Sequence, residues 1–328
     1  MKNILVTGGA GYVGSILVPK LLNNNYHVTI LDKMWFGSQG IDYIKNDNLK
    51  IIMGDTRDKS LVDKISKNID TVIHLAAISN DPCCELDHNL TKEVNYEATV
   101  NLVKTAKENG VQRFINISTA SVYGIKDDPN VTEDLSLEPL TIYSKTKADA
   151  EQRIKECNDE NFTTINLSPS TACGYSPRMR LDLVVNILSS HAIMNRKIIV
   201  FGGKQKRPNI HIQDITDLYQ MMIDFPKEKV AGEAFNVAFE NHTVMGLAEM
   251  IKDIIGEDVE IEVKPTDVPR SYHVSSEKIM MVTGFKPKRT IKDAVLEIKQ
   301  AFEEGKIKDW KDINYYNVKK MKAIQEML

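Results

Sequence analysis

The sequence predicts an α/β fold built on a doubly wound parallel sheet, with a smaller α/β lobe beside it. Short apolar runs alternate with longer amphipathic segments through the first half of the chain, which is the pattern of right-handed βαβ units. A glycine-rich turn follows the first apolar run. After about Asn166 the regular alternation ends, and shorter strand-like and helical segments take its place.

The apolar runs of the first half are bounded closely enough to be assigned as strands. Two long amphipathic segments, 95–109 and 143–157, are assigned as helices. In a doubly wound sheet a ligand binds beyond the carboxyl ends of the strands, so we expect the functional site there. The predicted strands are Ile4–Val6, Val28–Leu31, Leu49–Met53, Thr71–Leu75, Phe114–Ile117 and Thr163–Leu167.

The turn after the first strand carries three glycines with the spacing G-x-x-G-x-x-G: Gly8, Gly11 and Gly14. Glycine lets the backbone turn tightly and approach a ligand without a Cβ in the way. The helix that follows presents free N–H groups and the positive end of its dipole, which suits a pyrophosphate. This strand, turn and helix predict a dinucleotide-binding sheet of the Rossmann type, and a glycine turn without a ligand is the disfavoured alternative.

The second predicted strand ends at Asp32. A carboxylate at this position accepts hydrogen bonds from the ribose hydroxyls of adenosine and repels a 2′-phosphate. The sequence therefore predicts NAD rather than NADP as the cofactor, although the neighbouring Lys33 weakens that preference slightly.

Composition excludes several classes of protein. The 328 residues include 42 Lys and Arg and 45 Asp and Glu, a net charge of −3 that does not indicate a nucleic-acid or membrane-surface protein. No apolar run reaches the roughly 18 to 20 residues of a membrane span, and the N-terminus enters a strand at once, which leaves no room for a signal peptide. The four cysteines lack metal-site spacing. We expect a cytoplasmic protein with free thiols, no metal, no nucleic-acid partner and no membrane partner.

The second half predicts a lobe that closes over one edge of the sheet. Residues 1–166 form the Rossmann domain, to which the chain returns around 205–230. The substrate-binding lobe comprises 167–204 and 231–304, and 305–328 form a charged C-terminal tail that ends in a helical stretch. Predicted strands are Ile198–Phe201, Ala234–Val237 and Val259–Val263, and predicted helices are Leu181–Asn195, Asp214–Asp224, Thr243–Ile255 and Ile291–Glu303.

A Tyr-x-x-x-Lys pair lies in the helical pattern of 143–157. Tyr143 and Lys147 share one helix face, and a nearby ammonium favours the phenolate of a tyrosine. Such a phenolate takes a proton from an alcohol while a hydride leaves the same carbon. By itself such a pair is common, and a solvent-facing pair on a surface helix is then the favoured interpretation. The hydroxyl-rich segment from Ser118 to Ser121 follows a predicted strand, however, and places Thr119 at the same edge of the sheet.

The chain resembles the extended short-chain dehydrogenase/reductase family, which includes the nucleotide-sugar epimerases and dehydratases. The resemblance covers residues 1 to about 300 and is weaker in the substrate lobe. It rests on T-G-G-A-G-Y-V-G at 7–14, the acid Asp32, Gly54-Asp55, His74-Leu75-Ala76-Ala77, S-T-A-S-V-Y-G at 118–124, Y-S-K-T-K at 143–147 and Gly284-Phe285-Lys286-Pro287.

The resemblance implies a catalytic trio of Tyr143, Lys147 and Thr119. It also implies a homodimer, in which the helices of 95–109 and 143–157 pair across the interface. The cofactor-binding residues implied are Gly8, Gly11, Tyr12, Val13, Gly14, Asp32, Lys33, Asp55, Thr56, Leu75, Ala76, Ala77, Ser118, Tyr143 and Lys147, and those for a nucleotide-diphosphate sugar are Ser79, Thr119, Ser121, Thr171, Arg178, Arg180, Arg207 and Arg270.

Two departures from the family pattern narrow the expected reaction. Family dehydratases carry an acidic pair after the catalytic threonine, where this chain has Ala120 and Ser121, so 4,6-dehydration lacks its expected proton carriers. The family usually has Arg at the position of Ser168 and Asn at the position of Thr171, and that Asn commonly contacts the substrate diphosphate.

The arginines that follow offer a substitute for the missing diphosphate ligand. Arg178 and Arg180 precede a predicted helix, where charge and helix dipole suit a diphosphate. This run resembles that of bacterial C4 dehydrogenases acting on GDP-heptose more than that of galactose epimerases. Arg207 and Arg270 are further candidates, for which surface salt bridges are the alternative.

The sequence predicts an NAD-dependent enzyme that oxidises C4 of a nucleotide-activated sugar. A 4-epimerase is the leading interpretation, because it is the commonest activity of such sequences. A C4 dehydrogenase or reductase without epimerisation is the second, a 4,6-dehydratase is disfavoured, and an NAD-binding protein without turnover is the least favoured. The sequence does not identify the sugar or the base.

Overall fold

The protein, described here from a computed structural model over residues 1–126, 128, 130–266 and 273–326, has two unequal parts that share one cleft. The strands are β1 Asn3–Thr7, β2 His27–Asp32, β3 Leu49–Met53, β4 Thr71–His74, β5 Arg113–Ile117, β6 Thr163–Pro169, β7 Thr171–Cys173, β8 Lys197–Phe201, β9 Lys206–His211, β10 Glu233–Val237, β11 Glu240–Thr243 and β12 Glu260–Lys264. The helices are α1 Gly14–Asn23, α2 Lys59–Ser66, α3 Asp81–Cys84, α4 His88–Lys92, α5 Ala98–Glu108, α6 Ile142–Glu156, α7 Val184–Asn195, α8 Ile212–Asp224, α9 Val244–Ile255, α10 Glu277–Thr283, α11 Ile291–Glu303 and α12 Asn317–Gln325.

The larger part is a seven-stranded sheet in the order β10-β6-β5-β4-β1-β2-β3, with every neighbouring pair parallel. The predicted Rossmann-type α/β fold is therefore confirmed. Strand order reverses between β1 and β4, so the loops after these strands separate and leave a crevice at their carboxyl ends.

Alternate side chains of β1 supply two separate cores, as expected for a sheet covered on both faces. Ile4 and Val6 point into the cluster that includes α1 and α8 residues, whereas Leu5 points into the cluster that includes α2 and α5 residues. All three side chains are fully buried. This two-sided burial fixes the strand register, and with it the position of the loop that follows β1.

The smaller part has a three-stranded sheet, β11-β9-β7, and a two-stranded sheet, β12-β8. Its core lies among α7, α9, α11 and β8. The structure differs from the predicted division at β10, because 233–237 was assigned to the smaller lobe but pairs with β6 in the central sheet. The return of the chain to the central sheet thus includes both α8 and β10.

The predicted helix from Leu181 begins three residues later, at Val184. Leu181 N donates to the carbonyl of Tyr315, 2.9 Å away, so its backbone is used by the C-terminal tail rather than by a helix. The tail folds back along the cleft through the short 3₁₀ turn Ile313–Tyr315 and α12. No described helix combines the length and apolar character required to cross a membrane.

Candidate active site

One cleft at the carboxyl edge of the central sheet collects the residues that the sequence singled out. All fifteen proposed cofactor-binding residues line it, as do Ser79, Thr119, Ser121, Thr171, Arg178 and Arg180 of the proposed substrate set. Residues that the sequence did not single out also line it, among them Trp35, Phe36 and Asn317.

The glycine turn leaves space that a side chain would fill. Gly8 has φ of 74°, and a Cβ there would lie 2.7 Å from the backbone N of Ala76. A Cβ on Gly14 would lie 2.4 Å from the carbonyl oxygen of Gly9. The turn and the first turn of α1 are therefore held in close backbone contact, which suits a pyrophosphate at the amino end of the helix.

Asp32 closes the same end of the cleft. Its carboxylate accepts hydrogen bonds from the backbone N–H groups of Ala10, at 3.0 Å, and Met34, at 2.8 Å. Burial raises the pKa of Asp32, while these two hydrogen bonds and the charge of Arg178 oppose the rise. The carboxylate is thus fixed in position at the end of β2, where the ribose of adenosine is expected.

A second carboxylate lies beyond Asp32, after β3. Asp55 is paired with Arg57, at 2.8 Å, and with Lys33, at 3.1 Å. Burial raises the pKa of Asp55, but these partners outweigh burial and lower the pKa to about 2. The carboxyl group is therefore charged at neutral pH. Lys33 is therefore engaged by a neighbouring acid, which reduces its attraction for a 2′-phosphate.

The Tyr143 phenol lies at the opposite end of the cleft, on the first turn of α6. A capping box between Thr141 and Ser144 fixes the start of this helix. Burial raises the pKa of Tyr143 well above its usual value, Cys84 and Asp81 add to the rise, and a hydrogen bond with Thr119 opposes it. The phenol therefore needs a cation beside it to act as a base near neutral pH.

Lys147 is the cation on the same face of α6. Its Nζ donates to the carbonyl oxygen of Ile117, at 2.6 Å, which fixes the ammonium at the end of β5. The side chain is 3% exposed, and burial lowers its pKa to about 8. Thr119 completes the group, with its Oγ1 3.1 Å from Ser121 Oγ.

Two arginines approach the cleft from the loop before α7. Arg180 forms a two-pronged ion pair with Asp182, at 2.9 and 3.0 Å, and donates to Ser79 Oγ, at 3.1 Å. Arg178 is 2% exposed, and its guanidinium lies over the ring of Phe36, 4.3 Å from the centroid. Both lie outside any helix, in the loop before α7, which begins only at Val184.

Of the two remaining arginine candidates, Arg207 does not join this group. Arg207 lies on β9, donates to the carbonyl of Lys206, and is not among the residues that line the cleft. Arg270 lies outside the described residues. Within the described ranges, no group of three or more His, Cys, Asp and Glu side chains is arranged to hold a metal ion.

Comparison with known proteins agrees with this geometry. The family described as the NAD dependent epimerase/dehydratase family matches residues 4–238. This chain belongs to that family. Its cofactor is NAD, which the glycine cradle and the fixed Asp32 carboxylate fit.

Individual members of the epimerase/dehydratase family align over nearly all of the chain. UDP-glucose 4-epimerase of Lactobacillus helveticus is 26% identical over 94% of this chain and 99% of its own length. Human dTDP-D-glucose 4,6-dehydratase is 28% identical over 95% of this chain and 93% of its own length. The structure of UDP-glucuronic acid 4-epimerase from Bacillus cereus, solved with UDP-glucuronic acid and NAD, gives a TM-score of 0.84 at 25% identity, covering 92% of this chain and 99% of that one.

One departure from the usual epimerase/dehydratase sequence has a clear structural consequence. Ser168, at the position where arginine is usual, donates from Oγ to Glu151 Oε1, at 2.8 Å. Glu151 is one helical turn after Lys147, and burial raises its pKa against the opposing effects of Ser168, Ser118 and Lys147. The buried carboxyl group of Glu151 therefore has serine hydroxyls beside it. An arginine in place of Ser168 would add a second positive charge to that of Lys147.

The NAD preference of this family member should depend on Asp32. Replacing it with alanine removes the acceptor of two ribose hydroxyls and the repulsion of a 2′-phosphate. Hydrogen bonds to charged groups contribute about 1.5–3 kcal/mol, so NAD affinity should fall by roughly tenfold to a hundredfold. The preference over NADP should fall by a similar factor.

Isothermal titration with NAD and with NADP measures both effects. The exposed Asp47→Ala variant is the matched control for charge and should bind both dinucleotides as the wild type does. Retention of the wild-type NAD to NADP ratio in Asp32→Ala would contradict this role.

Proposed function

We propose that this enzyme is a nucleotide-sugar 4-epimerase that oxidises C4 of its sugar and then reduces the 4-keto group from the other face. The observation that carries the proposal is the convergence of Tyr143, Thr119 and Lys147 on one end of the NAD cleft. Relatives by sequence include UDP-glucose 4-epimerases, at 26% identity, which supports the reaction class without identifying the sugar.

Each of the three side chains has one task in the proposed oxidation. Tyr143 takes the proton of the C4 hydroxyl, and Thr119, within hydrogen-bonding reach of that phenol, orients the hydroxyl. Lys147 favours the phenolate by its charge and is held at the end of β5 by the carbonyl of Ile117. NAD, when bound, supplies the hydride acceptor.

The arrangement disfavours a 4,6-dehydratase. The position after Thr119 is Ala120, which is 2% exposed and carries no acid or base. Among the residues that line the cleft, Asp32 and Asp55 lie at the adenosine end, and Asp81 accepts a hydrogen bond from Thr141. Elimination of water needs a positioned proton carrier at C5 and C6, so oxidation and reduction at C4 alone fit these residues better.

A net C4 dehydrogenase or reductase is the second candidate. This reaction is favoured by the sequence run Pro177-Arg178-Met179-Arg180. Both arginines of the run line the cleft. The two reactions differ in whether NAD is recycled within one turnover. We also propose a homodimer formed through α5 and α6, and location in the cytoplasm stays a prediction from the sequence.

A panel of UDP- and GDP-sugars distinguishes these possibilities. An epimerase converts a sugar into its C4 epimer, detected by chromatography, without net absorbance at 340 nm. A dehydrogenase accumulates NADH at 340 nm in proportion to product. No turnover of any sugar, together with a rise in melting temperature given by NAD alone, would favour the non-catalytic alternative.

A further inference from the structure

Arg178 is a buried cation whose charge is only partly balanced by its surroundings. Nη2 donates to Asn317 Oδ1, at 2.7 Å, while Nε has no hydrogen-bond partner among the described residues. Burial and the like charge of Arg180 lower the pKa of Arg178, while Asp182 and Asp32 oppose that change. A buried cation is costly unless an anion is placed beside it.

The acids near Arg178 do not fill that role. Asp182 is engaged by both prongs of Arg180 and by the backbone N–H of Asn317, at 3.1 Å. Asp32 attracts Arg178 through space, but the hydrogen bonds to its carboxylate come from Ala10 and Met34. Within residues 1–126, 130–266 and 273–326, therefore, no carboxylate contacts the guanidinium directly, which leaves that position to an anionic ligand in the cleft.

The position of Arg178 indicates which ligand that is. Its backbone N–H is directed at Ser15 Oγ in the first turn of α1, 3.5 Å away. A Cβ on Gly40 would lie 2.8 Å from the Arg178 Cβ and 3.1 Å from the carbonyl oxygen of Ala10. The backbone of Arg178 therefore lies against the glycine turn, and its guanidinium lies over Phe36, within electrostatic reach of Asp32.

We infer that Arg178 binds the pyrophosphate of the dinucleotide, and that the C-terminal tail positions it there through Asn317. The inference depends on NAD binding and not on the proposed sugar reaction. It also changes the expected role of Arg178, for which the sequence pattern predicts binding to the diphosphate of the substrate. Arg180, paired with Asp182 and bonded to Ser79, remains the candidate on the substrate side.

The side chain of Asn317 holds Arg178 in position. It is 4% exposed, accepts from Arg178, and donates from Nδ2 to Ser79 Oγ, at 3.1 Å. Apolar side chains of α12, including Val318 and Met321, belong to the same cluster as Trp35 and Phe36. The tail thus completes the wall of the cofactor cleft, and Asn317 acts as a positioning residue.

Replacing Arg178 with methionine keeps an unbranched side chain over Phe36 and removes the charge. We expect the dissociation constants of NAD and ADP-ribose, measured by calorimetry, to rise at least about tenfold, because both carry the pyrophosphate. Adenosine, which lacks it, should bind as it does to the wild type. Lys322→Ala removes an exposed positive charge from the same tail and should change none of these values.

Asn317 variants provide a second test if Arg178→Met unfolds. In Asn317→Asp a carboxylate pairs with the guanidinium, so NAD and ADP-ribose should bind more weakly than in Asn317→Ala, with adenosine unchanged in both. Equal weakening of adenosine and NAD would show lost packing and overturn the inference. It would also be overturned if NAD affinity were unchanged in Arg178→Met while the KM of the sugar nucleotide rose.

Discussion

Replacing Tyr143 with phenylalanine should lower kcat by about 10³-fold, because the oxidation at C4 loses the group that accepts the hydroxyl proton. The substitution removes one oxygen atom and keeps the ring, which packs against an apolar cluster that includes Ile78 and Cys84. The phenol is partly buried at the first turn of α6, so the fold should tolerate the change. NAD affinity should stay within about twofold, since the glycine turn and Asp32 are untouched.

Single-turnover and steady-state rates with the active sugar nucleotide measure this effect. Tyr43→Phe, which removes an exposed phenol outside the cleft, is the matched control and should retain the wild-type rate. Thr119→Val should show a smaller loss, because Thr119 orients the hydroxyl without taking its proton. Turnover of Tyr143→Phe within a few-fold of the wild type would exclude the proposed chemistry.

The cofactor half of the site could be predicted because its information is local. Gly8, Gly14 and Asp32 lie within one strand, turn, helix and strand, and the period of the apolar residues fixes which way each strand faces. These features involve residues that are close together in the sequence, so they can be predicted without knowing which distant segments pack nearby. The predicted strands of the first half accordingly agree with the observed ones to within two residues at either end.

The rest of the site depends on contacts between residues far apart in the sequence. Asn317 reaches Ser79 across 238 positions and Arg178 across 139, and no local pattern in a charged tail indicates such partners. The late start of α7 has the same cause, since the tail takes the backbone N–H of Leu181. β10 was misplaced because a strand that returns to an existing sheet has the same local pattern as one in a separate lobe.

Lys147→Met should reduce kcat/KM by about 10²-fold or more at neutral pH, because the phenolate of Tyr143 loses its cation. The wild type should also lose activity as pH rises through about 8, the pKa to which burial lowers Lys147, since the ammonium is the active form. A profile of kcat/KM reports groups of the free enzyme, so this limb is measured at low substrate concentration.

The contribution of Lys147 to stability should rise with pH, whereas activity falls. The folded pKa of Lys147 lies below its unfolded value of 10.5, so the unfolded chain binds more protons between about pH 8 and 10.5, and the contribution of this group to stability rises with pH across that window. Below pH 8 the buried ammonium disfavours folding, and Lys147→Met, which removes it, should melt no lower than the wild type at pH 7. Lys145→Met, on the exposed face of the same helix, should leave both the rate and the alkaline limb unchanged. If Lys147→Met lowered both the rate and the melting temperature, Lys147 would have a packing role. An electrostatic role predicts that only the rate falls.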